Sequence, residues 1–151
     1  MNMQHRYIIR FITLLLLFSN LFFSNFTFAA KPSPNVKPEV KVVIHVTNGH
    51  KRTYQAALNY TYSLREEYGD KVDIQIVANG PGIGLVNSNN NYTEEIQSLL
   101  KKGVKVSACN TTVKIMRNFR KLPIIEGVKF VPTGVVEVIK LQKKGYLYLH
   151  P

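Results

Sequence analysis

Gly103-Val104-Lys105-Val106-Ser107-Ala108-Cys109-Asn110-Thr111-Thr112-Val113 reads as a short strand, a tight polar turn and the first turn of a helix. The strand is carried by the alternating apolar run Val104 to Ala108. Cys109, the only cysteine of the 151-residue chain, stands where the strand gives way to the helix. A unit of this kind belongs to a sheet whose strands are joined by helices, so the flanking sequence decides the fold.

On the N-terminal side, Val40-Lys41-Val42-Val43-Ile44-His45-Val46 is a β-branched run of strand length. The turn residues Thr47 to His50 lead into a helix whose apolar face is Tyr54, Ala57, Leu58, Tyr62 and Leu64, stopped at Gly69-Asp70. A second strand spans Val72 to Val77. The glycine-rich loop Asn79 to Gly84 and a polar tract, Asn87 to Asn91, follow it; the tract shows no periodicity and reads as mobile. A helix opens at Tyr92-Thr93-Glu94-Glu95, with Ile96, Leu99 and Leu100 facing inward, and Gly103 ends it. Beyond Cys109 a short helix runs from Thr111 or Thr112, as its cap, to Arg117. Val128–Val131 is a fourth strand, Gly134–Lys144 a helix, and Tyr146–Leu149 a last strand at the sheet edge. The alternation predicts an α/β fold: a three-layer α/β/α sandwich around a mainly parallel sheet.

The N-terminus reads differently. Arg6 and Arg10 precede an apolar run from Phe11 to Phe28, and Thr27-Phe28-Ala29 places small residues where a signal peptidase requires them. This predicts a signal peptide over residues 1–29, a flexible Pro-rich leader over 30–39 and a single domain over 40–151. A periplasmic or secreted location follows; membrane association is expected only if the signal stays uncleaved. Net charge is +11, or +9 without the first 29 residues, which hold two arginines and no acid. A basic surface suits acidic partners, anionic lipid or simple solubility. The lysines are dispersed, and no nucleic-acid-binding motif accompanies them, so nucleic acid is not an expected partner.

Ligands in parallel sheets gather at the carboxyl ends of the strands. Three loops qualify: Thr47–Lys51, Asn79–Gly84 and Cys109–Thr112. Gly80-Pro81-Gly82-Ile83-Gly84 lacks the Lys-Ser/Thr of a phosphate loop and reads as a backbone turn. One cysteine and scattered histidines give no metal-ligand spacing, and no cofactor is called for. His45, inside a strand, is expected to be buried and hydrogen-bonded. Cys109 is the candidate nucleophile: free N–H groups of a helix start favour an anion, and a thiolate is one. Its alternative is a small buried packing residue. Asn110, Thr111, Thr112, Gly80, Gly82 and His50 are the candidate binding residues around it. Lacking a second cysteine, the chain forms no internal disulfide, so any disulfide or sulfur exchange involves another molecule.

The Val106-Ser107-Ala108-Cys109-Asn110-Thr111 turn, the Asn79-Gly80-Pro81-Gly82-Ile83 loop and the ending Val131-Pro132-Thr133-Gly134 through Leu149-His150-Pro151 together resemble the DsrE/DsrF-like family. The resemblance implies a five-stranded parallel sheet, homo-oligomers and, in the best-understood relatives, sulfur carried as a persulfide on a cysteine. By that likeness Cys109 is the sulfur-carrying residue, served by a sulfur-donor or acceptor protein. If the chain is active, it is a sulfur carrier or resembles a sulfurtransferase; otherwise it is an oligomeric module that binds a small ligand or anion.

Overall fold

A computed structural model describes residues 37–118 and 121–151. The expected signal peptide and most of the leader lie outside the described residues. Five strands, β1 (Val40–Val46), β2 (Val72–Ala78), β3 (Lys105–Cys109), β4 (Lys129–Val131) and β5 (Leu147–Leu149), form one sheet in the order β4-β3-β2-β1-β5. Every pairing is parallel. The helices are α1 (Lys51–Tyr68), α2 (Thr93–Lys101), α3 (Asn110–Arg117) and α4 (Gly134–Lys143), with a 3-10 segment at Gly80–Val86.

The strand order explains the layers. From β1 to β4 each crossover steps in one direction, so right-handed connections lay α1, α2 and α3 on one face. The step from β4 to β5 returns across the whole sheet, and α4 therefore covers the opposite face. The predicted three-layer sandwich is what the chain adopts.

Side-chain parity divides the core accordingly. Val42, Ile44 and Val46 of β1 join Ile74, Ile76, Val106 and Ala108 beneath α1–α3, with Leu58, Ile83, Ile96 and Val113 packed against them. Val43 and Val77 face the other way and pack with Val138, Leu141 and Tyr146 beneath α4. His45, Asn79 and Cys109 share the parity of this second face, so the thinner layer holds the polar strand ends.

Three local expectations are corrected. In α1, Tyr62 is exposed and Thr61 is buried in its place. The spacing Tyr54, Ala57, Leu58, Thr61 follows one helical stripe, and the Thr61 hydroxyl donates to Ala57 O at 2.9 Å, so burial leaves it satisfied. The Asn87–Asn91 tract is a built turn. Asn90 Nδ2 donates to Gly84 O and Leu85 O at 2.6 and 2.9 Å, and its Oδ1 accepts from Tyr92 N–H at 2.8 Å. The glycine-rich loop is helical and largely inside: Gly82, Ile83, Leu85 and Val86 are buried. Among the described residues, no helix is long and apolar enough to cross a membrane.

Candidate functional site

Cys109 is the last residue of β3 and the residue from which α3 springs. The sequence reading placed the cap of this helix at Thr111 or Thr112. Instead Cys109 occupies that position with extended backbone, φ −66° and ψ 111°, and α3 begins at Asn110. This shift puts the thiol, rather than a hydroxyl, over the free N–H groups of the first turn.

A second helix start converges on the same atom. Gly134, the first residue of α4, lies so near that a Cβ there would sit 3.3 Å from Cys109 Cβ and 2.8 Å from Asn79 Cβ. The two starts are tied together where Thr111 Oγ1 donates to Pro132 O at 3.0 Å. Burial pushes the Cys109 thiol up. Hydrogen bonds from the Thr112 side chain and from the backbone N–H groups of Thr112, Gly134 and Thr111 outweigh burial and hold it below the ordinary thiol range. Lys114 and Arg117 on α3 are exposed and are not among the groups that set this balance. The residue keeps only 3% of its exposure.

The predicted binding residues divide into three groups. Thr112 joins two of the strand-end loops, because its Oγ1 accepts from Gly80 N–H at 3.0 Å while the side chain reaches the Cys109 sulfur. Thr111 ties down Pro132, its N–H and its Oγ1 donating to Pro132 O at 3.3 and 3.0 Å, and its N–H adds the smallest of the influences that lower the thiol. Gly82 serves the backbone: a Cβ there would meet Val46 O at 2.0 Å, so only glycine lets this loop lie against β1. Asn110 is half-buried at the start of α3, with no described hydrogen bond from its side chain. His50 is exposed at the start of α1, and its backbone N–H bonds Asn48 Oδ1 at 3.0 Å; no described contact joins it to Cys109.

Two contributors escaped the sequence reading. Gly134 lies 25 positions from Cys109, and the β3–β4 pairing, which sets Val131 opposite Cys109, brings them together. Asn79, a loop residue by sequence, approaches the same Gly134 position as Cys109, and its side chain accepts from His45, whose Nε2 lies 3.1 Å from Asn79 Oδ1. The signal available was parity: His45 and Val43 point to one face. Among the described residues, no group of three or more His, Cys, Asp or Glu could hold a metal ion.

Together these features define a parallel α/β protein with a thiol held at the carboxyl edge of its sheet between two helix starts. The model of the DsrE/DsrF-like family matches residues 40–151, and the chain belongs to that family. Solved structures agree in fold. The protein of unknown function MTH1491 from Methanobacterium thermoautotrophicum is similar at 23% identity, over 75% of this chain and 100% of its own, with a TM-score of 0.69. The ychN protein of E. coli is similar at 18% identity, over 74% and 99% of the two chains, with a TM-score of 0.59. BT1422 of Bacteroides thetaiotaomicron, of unknown function, gives 18% identity, 74% and 94% coverage, and a TM-score of 0.51. At such identities the likeness speaks for the fold alone. A search of curated protein sequences returns no match.

Proposed function

We propose that this chain is an exported sulfur carrier whose Cys109 holds the sulfur as a persulfide. The observation that carries this reading is the place of Cys109 at the end of β3, where the starts of α3 and α4 converge, an arrangement that favours a thiolate. In the first step the thiolate attacks the outer sulfur of a donor R–S–S⁻. The donor's S–S bond breaks, its electron pair leaves with R–S⁻, and Cys109 becomes Cys–S–S⁻. In the second step an acceptor thiolate attacks that outer sulfur and restores the Cys109 thiolate. No net oxidant or reductant is needed.

Export rests on the basic, apolar and small-residue order of the first 29 residues. Self-association is part of the proposal. Val135, Val136 and Ile139 are about half exposed on the outer side of α4, an apolar strip of the kind that marks contact surfaces.

Intact-mass measurement after treating the mature protein with polysulfide tests the carrier reading. An added 32 Da on the wild type, absent from Cys109→Ala, is the expected result. Failure to gain sulfur on the wild type rejects it. The burial of Cys109 favours a second reading, an anion-binding module in which the thiol only packs. That reading requires slow alkylation of the native thiol; rapid native alkylation discards it.

A further inference from the structure

A buried imidazole stands beside the sulfur site without a part in the steps above. His45 is 7% exposed in an otherwise largely aliphatic strand. Burying it is costly unless both ring nitrogens are partnered, and both are. Nε2 lies 3.1 Å from Asn79 Oδ1, and Nδ1 lies 3.2 Å from the Tyr148 hydroxyl. Asn79 Oδ1 can only accept, so Nε2 carries the hydrogen and Nδ1 accepts from Tyr148. The result is a directional chain from Tyr148 O–H to His45, and from His45 N–H to Asn79 Oδ1. His150 closes its outer side, stacked on Tyr148 with centroids 6.4 Å apart and bonded to Thr47 Oγ1 at 2.9 Å. Burial keeps His45 in the neutral form that this direction requires.

The chain fixes one half of a carboxamide and leaves the other free. With Oδ1 turned to His45, the Asn79 NH2 group donates to none of the described residues. Asn79 and Cys109 flank one backbone point: a Cβ on Gly134 would lie 3.4 Å from Asn79 Cγ and 3.3 Å from Cys109 Cβ. We propose that Tyr148 and His45 are positioning residues that present the Asn79 NH2 group to the charged end of a small anionic sulfur donor, a polysulfide or thiosulfate-type anion, approaching Cys109. This rests on the sulfur-carrier reading and specifies its substrate. A small anion suits a residue left 3% exposed, where a protein-borne persulfide has little room to enter.

Two alkylating reagents of similar size, anionic iodoacetate and neutral iodoacetamide, report on the same sulfur and separate anion recognition from thiol reactivity. Asn79→Ala is expected to lower the iodoacetate-to-iodoacetamide rate ratio about tenfold, the loss of one charge-assisted hydrogen bond, while changing the neutral rate less than about twofold. Tyr148→Phe, at a side chain 42% exposed and so tolerant of change, is expected to lower the ratio about threefold through its effect on His45, on the scale of one neutral hydrogen bond. A merely structural chain would move both rates together or neither. A ratio within about twofold of wild type in both variants overturns the proposal, as does failure of either reagent to modify the native thiol. Polysulfide loading of the wild type is scored separately. Loading with an unchanged ratio rejects the Asn79 chain alone, and a changed ratio without loading rejects sulfur carriage alone.

Discussion

Gly134 and Cys109 meet where the start of α4 reaches the end of β3: the Gly134 N–H is one of the groups that lower the thiol's pKa, and a Cβ at position 134 would lie 3.3 Å from Cys109 Cβ. The same atom would lie 2.8 Å from Asn79 Cβ, closer than two side-chain carbons pack. Gly134→Ala therefore overfills the junction and displaces the start of α4. The expected cost is about 1–3 kcal/mol in stability, read by denaturant unfolding. The pH profile of Cys109 alkylation is expected to move upward, because a donor N–H withdraws from the sulfur. An unchanged profile would separate this N–H from the electrostatics of the thiol.

Thr112 links two loops through one oxygen. It accepts from Gly80 N–H and reaches Cys109, so Thr112→Val removes both interactions while keeping the shape. Stability is expected to fall by about 1–2 kcal/mol, on the scale of a half-buried N–H left without its acceptor. The thiol is expected to titrate at higher pH than in the wild type. Thr112→Ser keeps the hydroxyl and should restore the titration. Valine and serine variants that titrate alike would leave the hydroxyl without influence on the sulfur.

Gly82 presents a backbone requirement with a different signature. Its Cβ would meet Val46 O at 2.0 Å and Thr47 N at 2.9 Å, atoms of β1 and its exit that cannot swing aside. Gly82→Ala is expected to cost at least the about 1–3 kcal/mol of ordinary overpacking. The measurement is thermal unfolding, with wild-type-like stability as the result that contradicts the close approach.

His45 makes stability fall on the acid side. Burial, as the largest cause, and the neighbouring His150 lower its pKa, partly offset by the Asn79 hydrogen bond. The unfolded chain therefore binds a proton more readily than the folded one. Stability from this group is complete above the ordinary histidine value of about 6.5, and is lost as pH falls through the lower folded value. The wild type should lose more stability between pH 7.5 and 5 than His45→Gln, as followed by denaturant unfolding at each pH. Parallel losses in the two proteins would show that His45 does not titrate differently on folding.

The sheet was legible because its strands announce themselves locally. Val40–Val46 was expected in full, and β2 and β3 were each displaced by one residue at most at either end. The cysteine's place at a strand end was legible for the same reason. What sequence hid depended on distance or on side-chain hydrogen bonding. Asn87–Asn91 lacks periodicity, yet Asn90 uses its amide to satisfy backbone groups of the preceding segment. A hydroxyl two or three residues past the strand resembles a helix cap, but the cap falls at Cys109, two or three residues sooner, and Thr112 becomes a link to Gly80. Gly134 approaches Cys109 because β4 pairs with β3, setting Val131 opposite Cys109 three residues before α4 begins, a long-range pairing that no local pattern encodes.

Tyr146 offers a control at the other end of the sheet. Its hydroxyl donates to Asp73 Oδ2 at 2.6 Å and accepts from Gln75 Nε2 at 2.7 Å, while Lys105 Nζ holds Asp73 at 2.7 Å. Burial, with the Asp73 carboxylate, pushes the phenol up to about 12, so it remains a donor throughout the physiological range. The Lys105–Asp73 pair is open to solvent on the lysine side and contributes little by itself. The phenol-to-carboxylate bond is the stronger element, and Tyr146→Phe is expected to cost about 1.5–3 kcal/mol. Because this network sits at the amino ends of the strands, the variant should leave the rate and pH profile of Cys109 alkylation unchanged. A slowed or shifted profile in Tyr146→Phe would mean that any loss of stability disturbs the thiol, and the effects assigned to Gly134 and Thr112 would then lose their local meaning.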